Sequence, residues 1–164
     1  MNHYTDTQHY LFALTALFFF LFLFNIFRFF TASPAKRSLR RYRTQKRLKK
    51  LSWEAFETLC ANFFKVQGWK VKENEVKGAD GGVDLWMKKR GIRAIVQCKK
   101  YEDARVTIKV IREMYGLMYE YDVDKAFVLT TSEFTKECYR FVEDKNIELL
   151  NGEQLAKKIR QITG

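Results

Sequence analysis

Three polar residues interrupt apolar runs in GADGGVDLWMKKRGIRAIVQCK (78–99). Asp84 opens the run 83–88, and Gln97 and Lys99 sit near the end of the run 92–99. A turn at Lys89-Arg90-Gly91 makes the two runs a hairpin. With a loop of about four residues, position 84 pairs near position 97. Directly opposed Cβ atoms lie about 5 Å apart. Gln97 and Lys99 share one face, while Val96 and Cys98 point the other way. The three side chains can therefore converge at one end of a sheet. A carboxylate and an amide oxygen are hard donors suited to Mg²⁺. A nearby ammonium can stabilise a developing oxyanion or help activate a water. Such a set suits metal-assisted hydrolysis of a phosphodiester. An ordinary Asp84–Lys99 salt bridge, with Gln97 hydrogen-bonded beside it, satisfies the same spacing.

These residues need a framework. Ser52 followed by WEAFETLCANFFKVQG has apolar residues at helical spacing, with Ser52 as N-cap and Gly68 as stop. WKVKENEV (69–76) alternates like a strand, and 77–82 is a loop that Asp80 holds, with Gly81 and Gly82 permitting positive φ or close backbone approach. A helix over 106–121, a strand over 125–131, a helix capped by Ser132, a strand over 146–150 and a final helix follow. The order α-β-β-β-α-β-α-β-α implies an α/β fold with a mixed sheet flanked by helices.

Charge and hydropathy divide the chain further. Residues 10–27 carry no charge, and nine of the 15 Phe lie between Phe12 and Phe30. Extended to Ala32, the run is about 34 Å long as a helix, enough to cross a bilayer. No basic n-region precedes it, unlike a cleaved signal peptide. Residues 36–50 carry nine Lys or Arg and no acid, which places the N-terminus outside and the remainder in the cytoplasm. The expected organisation is an extracytoplasmic 1–9, one transmembrane helix at 10–32, a basic juxtamembrane linker at 33–51 and a catalytic domain at 52–164, in the cell inner membrane. The basic run suits anionic lipid heads, and a contribution to tethering DNA is compatible with that. Residues 51–164 hold 20 bases against 18 acids, so the globular part gives little compositional support for nucleic-acid binding. Cys60, Cys98 and Cys138 show no zinc-type spacing and read as buried, reduced thiols.

The pieces FETLCANFFKVQGWKV (56–71), GADGGVDLW (78–86), VQCKKY (96–101), FVLTTSEFT (127–135) and IELLNGEQL (147–155) occur in order at sensible spacing. Residues 53–158 thereby resemble the catalytic domain of the Mrr-type restriction endonucleases, within the PD-(D/E)xK nuclease superfamily. The resemblance implies a restriction-endonuclease-like fold, a divalent metal (Mg²⁺, with Mn²⁺ as a substitute) and DNA as substrate. It implies Asp84 as main metal ligand, the Gln97 side-chain oxygen beside it with the Cys98 backbone carbonyl, Lys99 orienting or activating water, and Glu57 reaching the metal directly or through water. Lys100 and Tyr101 are candidates for the DNA backbone. A homodimer would suit double-strand cutting. The competing reading is a membrane-tethered, non-catalytic DNA-binding or protein-assembly module on the same fold.

Overall fold

The structure is a computed structural model that describes residues 13–23, 34–74 and 82–164. It divides into two units, 1–33 and 34–164. In the first, residues 13–23 are helical and expose large apolar side chains, including Phe18 and Phe20. Among the described residues no helix is long and apolar enough to cross a membrane. The expected span 10–32 extends on both sides into residues outside the described set, as do the expected extracytoplasmic residues 1–9, Asp80 and Gly81.

The second unit contains α1 (Pro34–Leu39), α2 (Gln45–Lys49), α3 (Trp53–Val66), β1 (Lys70–Glu73), β2 (Leu85–Lys89), β3 (Ile92–Lys99), α4 (Ile108–Glu120), β4 (Lys125–Thr130), α5 (Lys136–Val142), β5 (Ile147–Leu150) and α6 (Gly152–Thr163). The five strands lie in the order β1-β2-β3-β4-β5. β1–β2 and β2–β3 are antiparallel, while β3–β4 and β4–β5 are parallel. A meander continues into helix-connected parallel strands, as the order of elements requires.

Alternation along the central strands builds two cores. Val96 and Cys98 on β3, with Phe127 and Leu129 on β4, meet Phe56 and Phe64 of α3 and Ile159 of α6. Ile95 and Val128 face the other way, toward Ile111 and Met114 of α4 and Phe134 and Cys138. Helix α3 starts where the Ser52 side chain accepts from the Ala55 N–H, 3.2 Å away. It stops before Gly68, whose φ is +85°. Asn151 and Gln154 form a reciprocal capping box that starts α6.

The β2–β3 turn is tighter than the four-residue loop expected. Lys89 pairs with Ile92, leaving Arg90 and Gly91, both at positive φ. That is the backbone of a two-residue hairpin turn matched to strand twist. The register pairs Leu85 with Val96, and the Asp84 N–H donates to the same Val96 carbonyl, so Asp84 sits beside Val96 and not in regular register with Gln97.

Two boundaries differ from the sequence reading. Ser132 does not cap α5, because 132–135 is drawn away from the helix: Val106 and Phe134 form a parallel bridge, and the Thr135 N–H donates to the Val106 carbonyl. Thr135 is the N-cap instead. The basic segment is also not a free linker. It folds as α1 and α2, with Leu39, Leu48 and Leu51 buried in the first core while Arg37, Arg40, Arg41, Lys46 and Arg47 stay exposed. Gln45 Nε2 donates to the Thr131 carbonyl at 3.2 Å. The compact unit thus begins at residue 34.

Gly152 is packed so closely that an added Cβ would lie 2.4 Å from the Thr131 carbonyl oxygen and 2.8 Å from Gln45 Cγ. In urea unfolding of the full chain, Leu48→Ala is expected to lower stability by about 2–5 kcal/mol. Gly152→Ala should lower it by about 1–3 kcal/mol. Unchanged midpoints would mean that α2 does not dock on the domain.

Candidate active site

Asp84 lies just ahead of β2 and is held by backbone on two sides. Its N–H donates to the Val96 carbonyl and its carbonyl accepts from the Asn74 N–H, both at 2.9 Å. Asn74 Nδ2 also donates to the Val83 carbonyl at 3.0 Å. The carboxylate then turns toward β3, where Oδ2 accepts the Cys98 N–H at 2.6 Å. In an extended strand the N–H and C=O of one residue face the same neighbour. The Cys98 carbonyl therefore lies on the Asp84 side of β3.

Glu57 comes from α3, one residue after the buried Phe56, and hydrogen-bonds the Asp84 side chain. A hydrogen bond between two carboxyl groups needs a proton on one of them. Burial is the largest influence on Asp84 and raises its pKa, against the lowering effects of the Cys98 N–H, Glu57 and the Lys99 charge. Lys99 acts on Asp84 at a distance: among the ion pairs of the described residues, none joins the two. The salt-bridge alternative from sequence is not the arrangement found.

Gln97 is 4% exposed. An added Cβ on Gly82, whose φ is +112°, would lie 2.7 Å from Gln97 Nε2. Only glycine leaves room there for the amide. Gln97 Oε1 is buried without a hydrogen-bond partner among the described residues. An unpaired buried oxygen costs about 1–3 kcal/mol. Two carboxyls, an unpaired amide oxygen and a main-chain carbonyl at one sheet end form a hard-oxygen donor set for a divalent cation. These residues fit such an ion.

The remaining candidates are anchored locally. Lys100 is ion-paired to Glu102 at 2.7 Å. Tyr101 packs on the second core, and its N–H and carbonyl both bond Thr131 Oγ1. Cys60, Cys98 and Cys138 are free and buried. Burial pushes the Cys98 thiol well up, with Cys60 beside it, so it is an inert thiol and not a nucleophile. Sequence reasoning did not find Asn74, whose two bonds set the height of Asp84, because it lies inside the alternating run 69–76 and carries no signal of its own.

The raised pKa of Asp84 has a definite sign. It favours the protonated form in the fold, so the stability it contributes is present below the ordinary aspartate range and is lost as pH rises through the raised value. In EDTA, Asp84→Asn should therefore be more stable than the wild type at neutral pH. The difference should shrink on acidification, as read from melting temperatures across pH. A constant deficit of the variant would contradict this.

Comparison with known proteins adds the family. Residues 48–159, well over half the chain, match the Mrr catalytic-domain family model, described as restriction endonuclease. The curated proteins give no match. Among solved structures, the DNA modification-dependent restriction endonuclease AspBHI is similar with a TM-score of 0.57 at 15% identity, covering 79% of this chain and 36% of AspBHI. The MspJI restriction endonuclease, solved in complex with a 27-mer oligonucleotide, gives 0.53 at 18% identity, covering 81% and 33%. AF1548, a protein of unknown function, gives 0.54 at 15% identity, covering 63% and 62%. These likenesses show the fold, and the chain spans about a third of the length of the two restriction enzymes. With the family model matched across both the hairpin and the helices around it, the chain belongs to the Mrr-type restriction endonuclease family.

Proposed function

We propose that the chain is a DNA endonuclease that hydrolyses phosphodiester bonds with Mg²⁺, or Mn²⁺ in its place, at the Asp84 end of the sheet. The observation that carries this reading is the buried Gln97 oxygen, without a hydrogen-bond partner among the described residues, at the same sheet end as Asp84, a carboxylate that Glu57 and the Cys98 N–H hold in place. Asp84, Glu57, the Gln97 amide oxygen and the Cys98 carbonyl would hold the ion. Bound there, it supplies charge neutralisation and lowers the pKa of a water. The Cys98 N–H fixes one carboxylate oxygen of Asp84 and leaves the other for ligation. Lys99, on the same strand face as Gln97, orients the attacking water or steadies the developing oxyanion. Gly82 keeps the amide seated by offering no side chain against it.

The reading extends to the rest of the chain. The apolar run 10–32 would tether the domain to the inner membrane with the N-terminus outside. The described part of that run supports this, because residues 13–23 carry eight large apolar side chains 47% exposed or more, which water would leave poorly accommodated. The exposed bases of α1 and α2 would face anionic lipid heads in the cytoplasmic leaflet. Action on foreign or modified DNA would follow from the family and from the position at the membrane.

The direct assay is nicking of supercoiled plasmid by the full chain in detergent, with Mg²⁺, Mn²⁺ or EDTA. Metal-dependent nicking should fall by about 10²-fold or more in Lys99→Ala. No nicking of unmodified, methylated or branched DNA under any metal condition would remove the catalytic reading. For the anchor, the full chain should remain in carbonate-washed membranes, and deletion of 10–32 should release it. Retention of the deleted form would assign attachment to another part of the chain.

A further inference from the structure

Among the described residues no helix covers the β1 side of the β1–β2–β3 face that carries Trp86, where Lys70, Lys72 and Lys88 are exposed. Alternation puts Lys70, Lys72, Trp86, Lys88 and Arg93 on that one face. The register makes Lys70, Lys88 and Arg93 a cross-strand row, Lys70 opposite Lys88 and Lys88 opposite Arg93. Adjacent strands are about 4.8 Å apart, so three cations stand within about 10 Å. Like charges directly opposed destabilise a sheet. Arg93 is relieved by Asp122 at 2.7 Å. Among the described residues, no ion pair includes Lys70, Lys72 or Lys88.

Beside this row is a cavity of about 370 Å³ whose lining includes Trp86, Tyr121 and the four cations and, among the described residues, no acidic one. Trp86 and Tyr121 meet edge to face with centroids 4.8 Å apart. A patch with unrelieved positive charge beside an aromatic recess calls for a ligand that brings both negative charge and flat π surface. An acidic peptide supplies the first without the second. Duplex DNA supplies phosphates but keeps its bases stacked. A single strand supplies both, because phosphates can follow the lysines while an unstacked base enters the aromatic recess.

We propose that this shelf is a binding site for a single-stranded nucleic-acid segment, separate from the Asp84 site. The shelf starts close to the proposed chemistry, since Trp86 is two residues along the chain from Asp84, and extends away from it to the β2–β3 turn. The proposal rests on the nuclease reading only for the choice of nucleic acid as the anion.

The test is binding of the full chain in detergent to fluorescein-labelled oligo(dT) and to a hairpin duplex, in EDTA, over a salt series. The Lys70→Ala/Lys88→Ala variant should bind oligo(dT) at least tenfold more weakly, with a salt slope reduced by about 1.4. Its duplex affinity should change much less. Trp86→Leu should weaken oligo(dT) binding with no change in salt slope. Equal losses on both DNAs, or none, would overturn the single-strand assignment. Poly-L-glutamate competing as well as unlabelled oligo(dT) would assign the shelf to an acidic polypeptide instead. The two readings fail separately: shelf binding without metal-dependent nicking removes the nuclease and keeps the shelf, and nicking without oligo(dT) discrimination does the reverse.

Discussion

The 2.6 Å hydrogen bond from the Cys98 N–H to Asp84 is the contact on which the site depends. It takes a backbone donor that sheet pairing would otherwise use and gives it to a carboxylate. This is possible because β2 begins at Leu85, so the ladder ends one residue before Asp84 on that side. The tight turn at Arg90-Gly91 sets the register that brings Leu85 opposite Val96 and Asp84 onto the same Val96 carbonyl, and a one-residue slip would send every side chain of β2 to the other face. Asn74 and Val96 then clamp the main chain of Asp84. The chemistry-bearing residue is placed almost wholly by backbone bonds, the least side-chain-dependent means a protein has.

Around that contact the polar groups are arranged at a cost. Asp84 is driven toward its neutral form by burial, and Gln97 hides an oxygen with no partner among the described residues. Beside the apolar side chains of the central strands, such groups lower stability unless something completes them. A divalent cation would complete both, since it takes the charge of the carboxylates and the lone pair of the amide. Ion binding there would couple ligand binding to folding stability.

Much of this was legible in the chain itself. The hairpin could be read because alternation is local and the turn residues are marked. Glu57 was the least distinguishable residue by pattern, since a helix glutamate among apolar neighbours reads equally as solvated; only the fold puts it on Asp84. The docking of α1 and α2 was not legible. Leu39, Leu48 and Leu51 are too sparse among nine bases to show a period, and charge dominated the reading of the segment. Ser132 was misread as a cap because the Val106–Phe134 bridge that holds it joins residues far apart in sequence. The cation row on the uncovered sheet face is likewise a product of register, which scatters Lys70, Lys88 and Arg93 along the chain and gathers them in space.

The most direct test of the account is calorimetric titration of Mn²⁺ into the full chain, comparing the wild type with Asp84→Asn and Gln97→Leu. The account predicts saturable binding by the wild type, loss in Asp84→Asn, and affinity at least tenfold weaker in Gln97→Leu. Absence of saturable binding by the wild type, or equal binding by all three proteins, would contradict it.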